Sequence, residues 1–169
     1  PDVVTNHQFE EIAKAGKIIR PSDGKPAKSV VFVQSPGKDE SDSDFAYAGA
    51  VTSMVSLKQA KYVREDYDDG KAFIFYQHMR TPGFSELFYK GLQQDPGIFM
   101  TKGAVMGVAK NGNGMIVDAE NTLLGEKLQV KADLVVLGAG MVPVTKDDPV
   151  INLAYRQGPG FRDVGLFNG

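Results

Sequence analysis

The chain has no cysteine and no tryptophan, and only two histidines, His7 and His78, in 169 residues. Without thiols it can hold no disulfide, no thiolate zinc site and no iron–sulfur cluster, and it has no cysteine nucleophile. Two histidines leave little for a histidine metal site or a Ser-His-Asp triad. Neither sign of charge dominates: 19 Lys and Arg stand against 21 Asp and Glu, a net charge of −2. That balance argues against a nucleic-acid partner and against an anionic membrane surface. No apolar run reaches the roughly 20 residues that a bilayer span needs. The longest, residues 134–144, is broken by Gly138 and Gly140. No signal peptide opens the chain. What is present is ordinary for a folded protein, 42% hydrophobic and 24% charged residues, which excludes a disordered chain, a collagen and a coiled coil. The chain starts at Pro1, without Met, and reads as a piece excised from a longer protein.

Residues 6–15 have the pattern of a short helix, with Asn6 as its N-cap, acids in its first turn and Gly16 as its stop. The run Arg20-Pro21-Ser22-Asp23-Gly24-Lys25-Pro26 is turn-rich. Residues 29–34 (Ser-Val-Val-Phe-Val-Gln) are almost continuously apolar and β-branched, as in a strand buried on both faces of a parallel sheet. Residues 48–66 predict a helix, with Met54, Leu57, Tyr62 and Val63 along its apolar side and Lys58, Lys61 and Arg64 on a wetter one. Residues 71–77 repeat the buried-strand pattern, which completes one right-handed strand–helix–strand unit. A second helix is expected at 83–93 and a short strand at 98–102. A further strand at 104–110 turns through Asn111-Gly112-Asn113-Gly114 into residues 115–119, the clearest hairpin in the chain. Residues 127–130 return as a meander strand, and 132–138 form a third buried parallel strand. Beyond Pro143 the pattern weakens.

These elements predict a Rossmann-like α/β domain of three layers. A small parallel sheet carries helices on one face and a three-stranded antiparallel meander on the other. The expected organisation is a linker with a short helix over 1–27, a nucleotide-binding-like domain over 28–144, and a return segment over 145–169.

In such a fold the first strand-to-helix turn binds pyrophosphate through Gly-x-Gly-x-x-Gly. Here Gln34-Ser35-Pro36-Gly37-Lys38-Asp39-Glu40 has one glycine, and Asp39, Glu40 and Asp42 repel phosphate. After the second strand, where an acid would bond ribose hydroxyls, the chain reads Gln77-His78-Met79-Arg80. Arg80 could take a phosphate or be a solvated loop residue; His78 could carry a proton or be an ordinary hydrogen-bonded histidine. Asp66, Asp68 and Asp69 could attract a cation or simply be a wet helix end. The small residues of Gly138-Ala139-Gly140-Met141 permit close backbone approach, to another domain or to a flavin, or are a plain strand-end turn.

Several stretches taken together resemble the A subunit of heterodisulfide reductase: Val3-Val4-Thr5-Asn6-His7-Gln8-Phe9-Glu10, Arg20-Pro21-Ser22-Asp23-Gly24-Lys25, Lys58-Gln59-Ala60, Ile74-Phe75-Tyr76, residues 118–126 and residues 132–137. Residues 44–52, 76–83 and 148–159 resemble most closely one branch of that family, the B subunit of the quinone-interacting membrane-bound oxidoreductase of sulfate reducers. The resemblance implies a thioredoxin-reductase-like flavoprotein whose FAD domain is split by an inserted nucleotide-binding-like domain, with this chain as the insert. It implies FAD in the whole protein, bound mostly outside this chain, and electron transfer between a quinone pool and sulfate-reduction enzymes. It also implies partners among the other subunits of a membrane-associated redox complex, and a cytoplasmic location, peripheral to the membrane through those subunits and without insertion. The family pattern has cysteine at Ser35, Ala48, Thr52 and Ser53, so this segment lacks the implied cluster ligands. The missing glycines, and His78 where the family has an acid, speak against NAD(P)H.

On this reading no residue of the chain is catalytic, and the domain packs on the FAD domain and docks partner subunits. Gly138, Gly140 and Met141 are expected near the flavin, with Thr5 and Asn6 at the other domain crossing. Two alternatives stand: a working NAD(P)H domain that delivers hydride to FAD through residues 35–39, and a partner-binding module with no redox role.

Overall fold

A computed structural model describes residues 2–34 and 49–139. In chain order the elements are β1 (Val3–Thr5), α1 (Asn6–Lys14), β2 (Ser29–Gln34), α2 (Gly49–Asp66), β3 (Lys71–Tyr76), α3 (Ser85–Gln93), β4 (Ile98–Asn111), β5 (Gly114–Asn121), β6 (Glu126–Ala132) and β7 (Leu134–Gly138). They form one seven-stranded sheet of order β1-β7-β2-β3-β4-β5-β6. The strands β1, β7, β2, β3 and the first part of β4 are parallel. The second part of β4 pairs antiparallel with β5, and β5 with β6.

The alternation of side chains along β2 explains the layers. Val30 and Phe32 point into a core with Phe9, Leu57, Ala60, Val63, Ile74 and Leu134, under the helices. Val31 and Val33 point the other way, into a second core with Phe75, Val135, Val117 and Ala132, under the folded-back meander. A strand buried on both faces has no polar side to show, which is why residues 29–34 are continuously apolar. The expected three-layer α/β architecture is the one observed.

Three expectations need correction. The parallel part holds five strands, not three. The edge strand β1 was missed because three residues are too few to show a period; it pairs with β7 through Val4 and Val136. Residues 98–102 and 104–110 are not two strands but one of fourteen residues. Gly103 reads as a break in the sequence, yet the chain runs straight through it. A Cβ on Gly103 would collide with the carbonyl oxygen of Glu120, so only glycine lets β4 leave the parallel sheet beside β5. A register shift between Val105 and Gly107 then bends the strand into the meander. Finally, α1 is capped by Thr5 rather than Asn6. Gln8 N donates to Thr5 Oγ1 (3.2 Å) and Thr5 N donates to Gln8 Oε1 (2.9 Å), a reciprocal box that satisfies two amides at once. Asn6 Oδ1 instead accepts from His7 N, and no acid lies in the first turn.

Substituting Gly103→Ala forces a methyl against a backbone oxygen that cannot turn aside. The expected loss is about 3 kcal/mol, read as a lower urea midpoint; an unchanged midpoint would contradict the single-strand account of β4.

Candidate functional site

All five parallel strands end on one side of the sheet, and there the candidate residues gather. Thr5 lies opposite Leu137, and Gln34 opposite Gly138. The first turn of α2 and the loop after β3 close over them. In open α/β sheets this carboxyl edge is where ligands bind, at the point where the strand order reverses. Here the reversal lies between β2 and β7.

The described residues of that crevice are engaged with one another. Gln34 is buried at 6% exposure. Ser53, fully buried on α2, donates to Gln34 Oε1 (3.3 Å) and accepts from Arg80 N (3.1 Å). Gln34 Nε2 also reaches Met79 Sδ at 3.9 Å. A Cβ on Gly138 would stand 2.7 Å from Thr52 Cγ2 and 3.1 Å from Val33 O, so Gly138 is where α2 meets the sheet. Thr52 and Ser53 are two of the positions at which the resemblance implies cysteine; here they join helix to strand by packing and hydrogen bonding.

Of the expected site residues, the structure brings Thr5, Asn6 and Gly138 to this one edge. The Thr5 hydroxyl is used by the α1 cap, and the Asn6 carbonyl accepts from Gln59 Nε2 (2.8 Å). Gly140, Met141, the loop 35–39, Ala48 and the segment 145–169 lie outside the described residues. The Arg80 guanidinium lies 3.0 Å from the Cβ position of Gly49, over the start of α2. Arg80 and His78 are both exposed. Among the described residues no cluster of His, Asp and Glu could hold a metal ion. Two of the three aspartates at the end of α2 are engaged: Asp66 Oδ2 accepts from Ile18 N (2.9 Å) and Asp69 pairs with Lys28 (2.9 Å).

Sequence reasoning gave Ser53 and Gln59, both fully buried, no bonding role at the site. Gln59 joins α2 to α1 through the Asn6 carbonyl and through Glu10 Oε1 (2.9 Å), and its own Oε1 is buried without a partner. Burial pushes the Glu10 carboxyl up, but the hydrogen bonds from Lys58 and Gln59 outweigh it and hold the group below its ordinary range. Lys58 is correspondingly raised, first by its bond to Glu10. Tyr76, at the end of β3, is raised by burial and then by Tyr89. The signal available was spacing: Thr52, Ser53, Ser56, Gln59, Ala60 and Val63 fall at helical intervals, so polar residues share the buried stripe. Ser53, Gln34, Thr52 and Gly138 thus pack against one another at the crevice, and a cleft of about 360 Å³ lies at the opposite edge, by Ser29, Lys131 and Asp133.

No family model matches the chain. It is 33% identical over 157 residues to the second iron-sulfur A subunit of the CoB–CoM heterodisulfide reductase of Methanopyrus kandleri, covering 88% of this chain and 24% of that protein. It is 32% identical over 150 residues to the A subunit of the H2:CoB–CoM heterodisulfide,ferredoxin reductase of Methanothermobacter thermautotrophicus, covering 84% and 23%. The chain thus spans about a quarter of the length of these relatives. Among solved structures, the thioredoxin reductase of T. acidophilum superposes with a TM-score of 0.51 at 14% identity, over 85% of this chain and 38% of that one. The ornithine N-hydroxylase of Kutzneria sp. 744 gives 0.52 at 10% identity, over 82% and 40%. At such identities these two establish the fold alone. Among the described residues no helix is long and apolar enough to cross a membrane.

Proposed function

We propose, from the premise that this chain is homologous along most of its length to a segment of the heterodisulfide reductase A subunit, that it is the pyridine-nucleotide-like domain of an electron-transfer flavoprotein and that its own role is structural. It holds the protein's shape and presents docking surface to partner subunits, while the redox chemistry belongs to groups elsewhere. The observation that carries this reading is the crevice between β2 and β7. At the described ends of β2 and β7, Ser53 bonds Gln34 and Arg80 N, and Thr52 abuts Gly138, so these residues are committed to one another.

FAD belongs to the longer protein on this reading. Thr5, Asn6 and Gly138 stand at the crossings to its FAD domain, with the Thr5 hydroxyl engaged in the helix cap and Gly138 packed against Thr52. On the same reading the FAD site lies mainly in the part of the protein outside this chain, in a FAD domain into which residues 28–144 are inserted. The resemblance of residues 44–52 and 148–159 to the quinone-interacting branch supports a finer version. In it the whole protein is a cytoplasmic component of a larger complex, attached to a membrane through its partners, and links a quinone pool to sulfate-reduction enzymes. No cluster is held by this segment, since it has no cysteine.

Titration of the chain with NADH and NADPH, followed by amide shifts in NMR, tests the structural role. No saturable shift is expected at Gln34, Ser53 or residues 77–80 at millimolar ligand. Saturable shifts clustered there would mean a working nucleotide site, and the domain would then deliver hydride.

A further inference from the structure

The Asn-Gly repeat at the β4–β5 turn has a chemistry that its role as a hairpin does not use. Asparagine is a thermolabile residue. When glycine follows it, nothing shields the next backbone nitrogen, which can attack the side-chain amide. The chain has two such pairs side by side, Asn111-Gly112 and Asn113-Gly114, and both asparagines are exposed.

The fold treats the two pairs differently. Gly114 pairs with Asn111 in the β4–β5 ladder, and a Cβ on it would stand 3.1 Å from Ala132 O. The carbonyl of Asn113, which belongs to the same peptide unit as Gly114 N, accepts from Nη1 of the buried Arg20. That peptide unit is held from both ends. Gly112 is the first residue of the two-residue turn, at φ +58°, outside the ladder, and a Cβ on it would meet nothing within 4 Å. The backbone of Gly112 therefore borders open space on the side where a Cβ would stand, unlike that of Gly114.

We propose that Asn111 is a site of spontaneous deamidation in the folded protein and that Asn113 is protected by the Arg20 clamp. The backbone N of Gly112 gives up its proton and bonds to Cγ of Asn111; the Cγ–Nδ2 bond breaks and ammonia leaves. Solvent water then opens the succinimide at either carbonyl, which yields aspartate or isoaspartate. Each product adds one negative charge. Isoaspartate also lengthens the main chain by one carbon, one residue before the turn whose second carbonyl Arg20 holds.

The test is to age the folded chain at mildly alkaline pH and digest it with trypsin. Cleavage after Lys110 and Lys127 places both asparagines in one peptide, and electron-transfer fragmentation locates the one-dalton gain and distinguishes isoaspartate. Conversion at Asn111 is expected about tenfold faster than at Asn113, the selectivity that a local opening requirement imposes. In denaturant the two rates should converge, since both are Asn-Gly pairs. Equal rates in the folded chain, faster loss of Asn113, or conversion of Asn111 only in denaturant would each overturn the proposal.

Discussion

Replacing Phe32 by alanine is expected to cost about 3–5 kcal/mol, the usual range for emptying an aromatic site in a packed core. Phe32 is 1% exposed and lies in the central strand of the parallel sheet. Its ring meets the edge of Phe9 with centroids 5.5 Å apart and planes at 76°, the T-shaped arrangement that the ring quadrupoles favour. The loss therefore has two parts. One is the cavity between sheet and helices; the other is the release of α1, whose buried residue is Phe9. For a domain stabilised by about 5–15 kcal/mol this is a large fraction of the whole. Urea unfolding should show a lower midpoint with an unchanged slope. A loss under about 1 kcal/mol would mean that the core collapses around the site, contrary to the close packing of interiors. A double-mutant cycle with Phe9→Ala should give a coupling of about 1 kcal/mol.

Arg20→Met is expected to cost about 3 kcal/mol, the low end for breaking a buried charge cluster from one side. The Arg20 side chain is 7% exposed. Its Nε donates to Asp23 Oδ1 (3.0 Å), Nη2 to Asp23 Oδ2, and Nη1 to Asn113 O, with Asp133 Oδ1 at 4.0 Å. Asp133 in turn accepts from the main-chain nitrogens of Lys28 and Ser29 (3.0 and 2.9 Å). One guanidinium thus fastens the 20–26 loop, the start of β2 and the tip of the hairpin. Methionine keeps the apolar stem but leaves the Asp23 carboxylate and the Asn113 carbonyl without their guanidinium donor, and Asp133 without the nearby positive charge. The carboxylates are about one-third exposed, so water recovers part of the loss. Arg20→Lys should not restore stability, because a single ammonium cannot serve a fork of acceptors. Amide exchange at residues 111–114 is the local readout; it should quicken in both variants, and unchanged exchange would deny the clamp.

The resemblance stretch 20–25 thus has a physical meaning that its composition hides. Arginine, proline, serine, aspartate and glycine in a row read as a loop, and a loop it is, closed by Arg20 N to Lys25 O and by Gly24 at φ +69°. Its anchor lies 93 residues away, which no local pattern reveals. The same holds for Gln59, whose partners sit on α1. By contrast β2, β3, β7 and the β4–β5 hairpin were legible, because apolar runs and Asn-Gly turns act locally. The Thr5–Gln8 box was legible too, in the Thr-x-x-Gln spacing, and Asn6 drew attention away from it. The crevice was half legible: the missing glycines are plain in the sequence, but the bond between Ser53 and Gln34 needs the fold to bring α2 onto the strand end. Gly103 misled because glycine marks both strand breaks and close backbone passages, and only the neighbouring strand decides which.

Among the described residues the strand β7 is last in chain order, and it sits inside the parallel sheet, between β1 and β2. On a ribosome, every other described strand of the sheet emerges before it. Until it arrives, β1 has no neighbour and β2 shows an unpaired apolar edge. Pairings so distant in sequence are slow to form, and an open hydrophobic edge is the species that aggregates or recruits a chaperone. The domain therefore closes from its far end, and a chain released before Gly138 would leave its most apolar strand uncovered.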